Sequence, residues 1–185
     1  MRNGEELVPD FYSETDDTLR LEIEEMAGVE QGVVIRMFGY LDGFNVAFFS
    51  RRVEKVIQKG YRFVSFDLEN VSYVSSRGIG TFALILKTLK ARGGGAHLCG
   101  VRPNVLEVFR VLGFLEYFDI GKSREEASAA FRKMAELSPA AFPVLLNCPV
   151  CGQLLKIPGA GRGRCPECKC PLTIDRNGRI LAVVK

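Results

Sequence analysis

The chain has 185 residues, 47% of them apolar and 25% charged, with a net charge of +3, the make-up of one ordinary soluble domain with room for a small appendage. No apolar run approaches the roughly 18–20 residues that a membrane span needs, and Met1-Arg-Asn-Gly-Glu-Glu6 lacks the apolar core of a secretory signal. Cysteines arranged in CxxC pairs without an export signal favour metal binding in a reducing cytoplasm over disulfides.

Charge is unevenly placed. Residues 148–185 carry seven Lys/Arg against Glu167 and Asp175, a balance of +5 that leaves −2 for the preceding 147 residues. The first thirty residues hold ten acids against Arg2 and Arg20. Residues 1–17 are acidic without apolar periodicity and read as a mobile tail. Leu19, Leu21 and Ile23 then alternate with Arg20, Glu22 and Glu24, the period of a half-buried strand. Gly28 and Gly32 flank a turn, and Val33-Val-Ile-Arg-Met-Phe38 predicts a second strand, closing a hairpin. Gly39-Tyr-Leu-Asp-Gly43 punctuates. From Phe44 the spacing becomes helical: Phe49, Val53, Val56 and Ile57 form one stripe, with Arg51, Arg52, Glu54 and Lys55 mostly opposite, and Gly60 stands where a left-handed cap would end the helix.

Tyr61-Arg-Phe-Val-Ser-Phe-Asp67 predicts a third strand, followed by Leu68-Glu-Asn-Val-Ser-Tyr-Val74 and the loop Ser75-Ser-Arg-Gly-Ile-Gly80. Ile79, Phe82, Ala83, Leu86 and Leu89 stripe a strong helix that Gly93-Gly-Gly95 terminates. Ala96–Val101 is a fourth strand. Pro103 opens a helix capped by Gly113, and a last helix runs from Ser123 to Leu137 with Glu125 and Glu126 complementing its dipole. The order β-β-α-β-α-β-α-α predicts an α/β fold with parallel pairs, right-handed crossovers and an initial hairpin. Phe63, Phe66, Phe82 and Phe109 read as core, as does Cys99; His97, the only histidine, reads as a core or surface residue rather than a catalytic one. Pro139 and Pro143 in an Ala/Pro stretch mark a linker over 138–147.

At Ser75–Gly80 a strand delivers two serines to a helix N-terminus, where free N–H groups and the dipole favour negative charge. A hydroxyl there can cap the helix, and a phosphate on it is electrostatically tolerated. Gly78-x-Gly80-x-x-Ala83 meets only the loose form of a dinucleotide fingerprint, and Val101 and Arg102 stand where the ribose-binding acid is needed. The blander reading makes the serines simple caps and the glycines packing devices.

The segment from about Thr18 to Leu137 resembles a STAS domain, the module of anti-sigma-factor antagonists and sulfate-transporter tails. The likeness rests on Gly39-Tyr-Leu-Asp42, Val64-Ser-Phe-Asp-Leu-Glu-Asn-Val71, Ser75–Gly80, Gly93-Gly-Gly-Ala-His-Leu98, Pro103–Leu112 and Gly113-Phe-Leu-Glu-Tyr-Phe118. It implies a STAS-like mixed sheet with helices packed on it. The antagonist family's loop is phosphorylated on serine by a partner kinase within Asp-Ser-Ser/Thr-Gly. The resemblance places the phosphoacceptor at Ser76, the preceding acid at Ser75, the following residue at Arg77 and the glycine at Gly78. The missing acid and the added Arg77 depart from that pattern. Arg77 can pair with a neighbouring phosphate or dock an acidic surface. The implied partner is a protein, an anti-sigma-factor-like kinase, bound through Ser75, Ser76, Arg77, Gly78 and Gly80, and no enzymatic activity is expected.

Five of the six cysteines lie within residues 148–170. Cys148-Pro-Val-Cys151 and Cys165-Pro-Glu-Cys168 present four thiolates for a tetrahedral site. Gln153–Ile157, Leu172–Ile174 and Ile180–Val184 read as short strands, with a hairpin tip at Pro158–Gly163. Residues 148–185 resemble a zinc ribbon, an all-β stub whose structural Zn²⁺ supplies much of its folding energy. Iron in a rubredoxin-like site is the alternative metal, and Cys170 is a fifth thiol beside the ligands. The rival function is nucleic-acid association through Arg162, Arg164 and Lys169, against which stands the lack of any aromatic among them to stack on bases.

Overall fold

The computed structural model describes residues 7–137, 143–174, 178 and 180–183. The chain divides into two compact units, Met1–Met134 and Ala135–Lys185.

The first unit is built on a five-stranded sheet in the order β1-β2-β3-β4-β5. β1 (Leu19–Glu25) and β2 (Gly32–Leu41) form the expected antiparallel hairpin; β3 (Phe63–Val74), β4 (Gly95–Cys99) and β5 (Asp119–Gly121) follow in parallel. Parallel neighbours need crossovers, supplied by α1 (Val46–Gln58), α2 (Ser76–Ala91) and α3 (Pro103–Val111); α4 (Arg124–Leu137) closes the unit. Among the described residues no helix is long and apolar enough to cross a membrane.

Two strands run longer than local pattern suggests. β2 continues through Gly39, whose φ of +110° suits glycine alone and where a Cβ would stand 2.0 Å from the Thr18 carbonyl oxygen. β3 takes in Leu68–Val74 as one strand with β-bulge irregularities against β2. β5, three residues long, carries too little pattern to be seen beforehand.

One face of the sheet buries Ile35, Val64, Phe66 and Leu98 against α1 and α2. The predicted stripe of α1 is buried, and Phe49, Phe66 and Phe82 meet edge-to-face with centroids 5.1–5.8 Å apart. The reading of 1–17 as a mobile tail needs correction for the described part: Leu7, Val8 and Phe11 are each 1% exposed and belong to this core, while residues 1–6 lie outside the described residues. Arg52, assigned to the solvent face of α1, is likewise 1% exposed. The two corrections share a cause. The Arg52 guanidinium donates to the Asp10 carbonyl oxygen at 2.8 Å and to that of Glu14, and lies 5.2 Å from the Phe48 ring centroid. A buried cation is tolerated because backbone oxygens satisfy it, and it pins the N-terminal segment in return.

The opposite face carries Phe63, Ser65 and Asp67 of β3 with His97 and Cys99 of β4, paired Ser65↔His97 and Asp67↔Cys99. α4 covers these residues through Phe131, 5.3 Å from Phe63 and 6.4 Å from His97 between centroids. Arg124 bridges the buried Asp67 (Nε–O 3.0 Å) and Glu24 (Nη1–O 2.7 Å). The Ser65 hydroxyl lies 3.5 Å from His97 Nδ1. Burial pushes the imidazole below its ordinary range, against the pull of Asp119 and Glu126, so His97 is a packed residue of the sheet.

Beyond the end of α4, the second unit is built of β-strands among the described residues. β6 (Val144–Asn147) pairs with β7 (Leu154–Ile157), and β8 (Gly161–Arg164), β9 (Pro171–Ile174) and β10 (Ile180–Val183) form a three-stranded sheet ordered β10-β9-β8. Two expectations change. Residues 144–147 are a strand of this unit rather than linker, and the hairpin-tip segment enters β8 at Gly161. Residues 138–142, and the basic residues Arg176, Arg179 and Lys185, lie outside the described residues.

Candidate functional site

In the first unit the chain turns sharply at the carboxyl end of β3, the end at which open α/β sheets present their loops for recognition. Val74 is buried, and Ser75 is held by its N–H donating to the Leu41 carbonyl oxygen at 2.8 Å. With φ −76° and ψ 166°, Ser75 is the N-cap of α2, its hydroxyl accepting from the Gly78 N–H at 3.1 Å. It therefore occupies one of the free helix donors. Ser76, the first helical residue, is exposed, as are Arg77 and Gly80. The two adjacent hydroxyls thus have separate surroundings: one is engaged in the cap, the other faces solvent beside the positive end of the helix dipole.

Gly78 is buried, and a Cβ there would come within 3.0 Å of Leu41 Cδ2 and Val74 Cγ1, so its bareness seats the helix on the sheet. A Cβ on Gly80 would meet nothing within 4 Å. Arg77 leans across the surface and donates to the Gly43 carbonyl oxygen at 3.4 Å.

That contact brings in residues that periodicity missed. Phe44, counted at the start of the α1 pattern, is 96% exposed. Asp42 accepts from the N–H groups of Phe44 (2.8 Å) and Asn45 (3.3 Å), and Asn45 donates to Thr18 Oγ1 and the Tyr40 carbonyl oxygen. This polar knot holds Phe44 outside the helix. The Asp-Gly-Phe-Asn pattern at 42–45 was the available signal, because Asp and Asn so spaced make local side-chain turns. Tyr40 and Tyr73, paired across β2 and β3, are also exposed near the carboxyl ends of their strands. The loop surface thus offers a hydroxyl, a guanidinium and aromatic rings, with no acid–base pair or nucleophile–base contact among the described residues of 75–80.

The second unit gathers its cysteines. One ligand atom from each of Cys148, Cys151, Cys165 and Cys168 lies within 4.8 Å of all the others. Cys148 and Cys168 sulfurs are 3.6 Å apart and those of Cys151 and Cys165 3.7 Å. A regular tetrahedron with bonds of about 2.3 Å has edges of about 3.8 Å, so the sulfur set fits a zinc-sized ion.

The two knuckles share one design. Cys148 N–H donates to the Gln153 carbonyl oxygen and Gly152 N–H to that of Cys148; Cys165 N–H donates to Cys170 and Lys169 N–H to Cys165. Gly152 (φ +74°) and Lys169 (φ +61°) take the same left-handed turn. Cys170 therefore occupies the place of Gln153, and its sulfur comes within 3.4 Å of Cys148. The N–H groups of Cys151 and Val150, with the Cys170 thiol behind them, draw the Cys148 thiol down to about 6 despite its burial. Burial and the neighbouring thiols push Cys151 up to about 12 and Cys168 up to about 11; without a cation the cluster favours one thiolate rather than four. Cys148 and Cys165 also form the small core of the unit with Leu155, Leu172 and Ile174, and Cys168 and Cys170 pack against it, whereas Cys151 is exposed.

Comparison with known proteins places these features. A family model described as the STAS domain matches residues 20–127, and one described as a domain of unknown function (DUF8512) matches 145–182. Of curated relatives, BtrV of Bordetella bronchiseptica, whose name describes an anti-sigma factor antagonist, is 32% identical over 114 residues, covering 62% of this chain and 96% of its own. The anti-sigma-B factor antagonist of Staphylococcus aureus is 28% identical over 91 residues, covering 49% of this chain and 84% of its own. The structure of the anti-sigma factor antagonist SpoIIAA in its unphosphorylated form superposes with a TM-score of 0.51 at 26% identity, covering 60% of this chain and 96% of that one. A STAS domain protein of Planctomyces limnophilus gives 0.52 at 25%, covering 60% and 97%. With its hairpin, parallel sheet and cap-serine loop matched over more than half its length, the chain belongs to the STAS domain family.

Proposed function

We propose that the chain is a non-catalytic regulatory protein of the cytoplasm that acts as an anti-sigma-factor antagonist, binding an anti-sigma-factor-like kinase through Ser75, Ser76, Arg77, Gly78 and Gly80. The observation that carries this reading is the division of labour between the two serines. Ser75 is engaged in the cap, whereas Ser76 is exposed at the first helical position. Relatives named as antagonists support the partner class, and the unphosphorylated-form description of SpoIIAA supports a phosphorylation switch. A phosphate on Ser76 adds about −1.5 to −2 charges where the dipole already favours them, so α2 keeps its structure while the surface changes sign and bulk. Arg77, the next residue, can pair with that phosphate once it leaves the Gly43 carbonyl.

The second unit we read as a zinc ribbon, a further interaction module. Cys148, Cys151, Cys165 and Cys168 would hold the ion, which supplies a structural cross-link rather than a reactive centre. The switch is tested by measuring the affinity of the kinase for Ser76→Asp and Ser76→Ala. Ser76→Asp is expected to weaken binding about tenfold or more, or roughly 1.4 kcal/mol, with Ser76→Ala close to the parent chain. Equal affinity of the two variants would refute it.

A further inference from the structure

β8 has the sequence Gly161-Arg-Gly-Arg164, and all four residues are exposed. It is the outer strand of its sheet, with β9 on one side and no strand on the other among the described residues. The register sets Gly161 opposite Ile174 and Gly163 opposite Leu172, with Arg162 opposite Thr173 and Arg164 opposite Pro171. Gly161 and Gly163 therefore lie on the sheet face that carries the buried Leu172 and Ile174. On β9 that face is filled with side chains; on β8 it is bare. A Cβ built on Gly161 or Gly163 would meet nothing within 4 Å. A cavity of about 450 Å³ lies there, between β7 and β8 and lined in part by Leu155, Leu172 and Ile174. Arg162 and Arg164 alternate with the glycines along β8, and with Lys156 of β7 they also contribute to the lining of the cavity, so its aliphatic floor has a cationic rim. Among the described residues no carboxylate forms an ion pair with Lys156, Arg162 or Arg164.

An unpaired strand edge is a template for another strand, and glycine in a strand marks a place where another backbone can approach. A strand laid along β8 alternates its side chains with period two. One set would fall beside Gly161 and Gly163 and enter the cavity over Leu155, Leu172 and Ile174; the other would fall beside Arg162 and Arg164, within reach of cross-strand pairing. We propose that the β8 edge is a docking site for an extended segment of another protein in which apolar and acidic residues alternate, bound by strand addition. This rests on the reading of the second unit as an interaction module and names its occupant. The two positive side chains fix which face of the incoming strand is acidic, and the empty glycine face fixes which is apolar. Nucleic acid fits less well, because residues 143–185 contain no aromatic side chain on which bases could stack.

The test uses the zinc-loaded full chain and fluorescence anisotropy with four labelled probes: an alternating glutamate–valine octapeptide, its lysine–valine counterpart, oligo-dT and a short DNA duplex. The glutamate–valine peptide should bind and the lysine–valine peptide should not. Arg162→Glu/Arg164→Glu should weaken the complex about tenfold or more, and Gly163→Val, which fills the cavity, should weaken it as well. Zinc content and the melting curve of each variant report whether the unit has folded. Should Gly163→Val lose its zinc, the surface double variant still decides the matter. Undiminished binding by the double variant overturns the proposal. Tighter binding of either DNA probe overturns it too, while leaving the unit an interaction module; binding of none of the probes overturns both.

Discussion

The packing of residues 7–17 makes Phe11 a sharp test of the fold. Phe11 is 1% exposed, meets Tyr12 edge-to-face at 5.1 Å and lies 5.9 Å from the Arg52 guanidinium. Truncating a fully buried phenylalanine to alanine removes its transfer free energy and leaves a cavity, together about 3–5 kcal/mol. Against a total stability of about 5–15 kcal/mol, that is a large fraction of what the first unit has. For a unit of this size it lowers the melting temperature by roughly 10–20 °C. The control is Thr15→Ala in the same segment, an exposed position, where a change within about 0.5 kcal/mol is expected. Urea unfolding followed by near-ultraviolet circular dichroism gives both values. If Phe11→Ala shifts the midpoint no more than Thr15→Ala, the segment is the mobile tail that its acidic composition suggests, and the reasoning from burial fails.

Three further outcomes follow from geometry already described. At the start of α2, Gly78→Val should cost about 1–3 kcal/mol by overpacking against Leu41 and Val74, whereas Gly80→Ala, with open space around it, should gain up to about 1 kcal/mol of helix propensity; thermal melts of the pair separate seating from propensity. Chelation should remove one zinc per chain by elemental analysis and unfold the second unit while the transition of the first stays in place, and Cys165→Ser should do the same. Because burial holds His97 neutral in the fold, the unfolded chain takes up the proton first. Its contribution is fully present above about pH 6.5 and is lost as pH falls below that value. Stability should therefore decline from pH 7.5 to 5, and His97→Gln should flatten that decline.

The repeating core was legible wherever one face of an element is buried. The α1 stripe, the β1 alternation and the four core phenylalanines announce themselves because burial repeats with the period of the backbone. Gly60 and Gly113 were readable as stops, and both take positive φ. What escaped depends on contacts distant in sequence. Arg52 looks like a surface cation until the Asp10 and Glu14 carbonyls arrive from some forty residues away. Phe44 looks like a helix residue until the Asp42–Asn45 knot excludes it. At the loop, spacing located Ser75 and Ser76 but could not say which hydroxyl the cap consumes, since that depends on the backbone angles at Ser75. The cysteine spacing named four candidate ligands; it could not show that Cys170 takes the place of Gln153 in the second knuckle.

The topology also sets an order of assembly. Each parallel pair of the first unit joins segments separated by a whole helix, and β1 gains its outer cover from residues that precede it. Such long-range pairing is slow and depends on much of the unit being present. The strands of the second unit instead pair antiparallel with near neighbours in the chain. On the ribosome, every strand of the five-stranded sheet has been synthesised before Cys148 emerges. Since domains generally fold as units from the N-terminus, closure of the knuckles follows the assembly of the five-stranded sheet, and a nascent chain short of metal would still present its Ser76 surface intact.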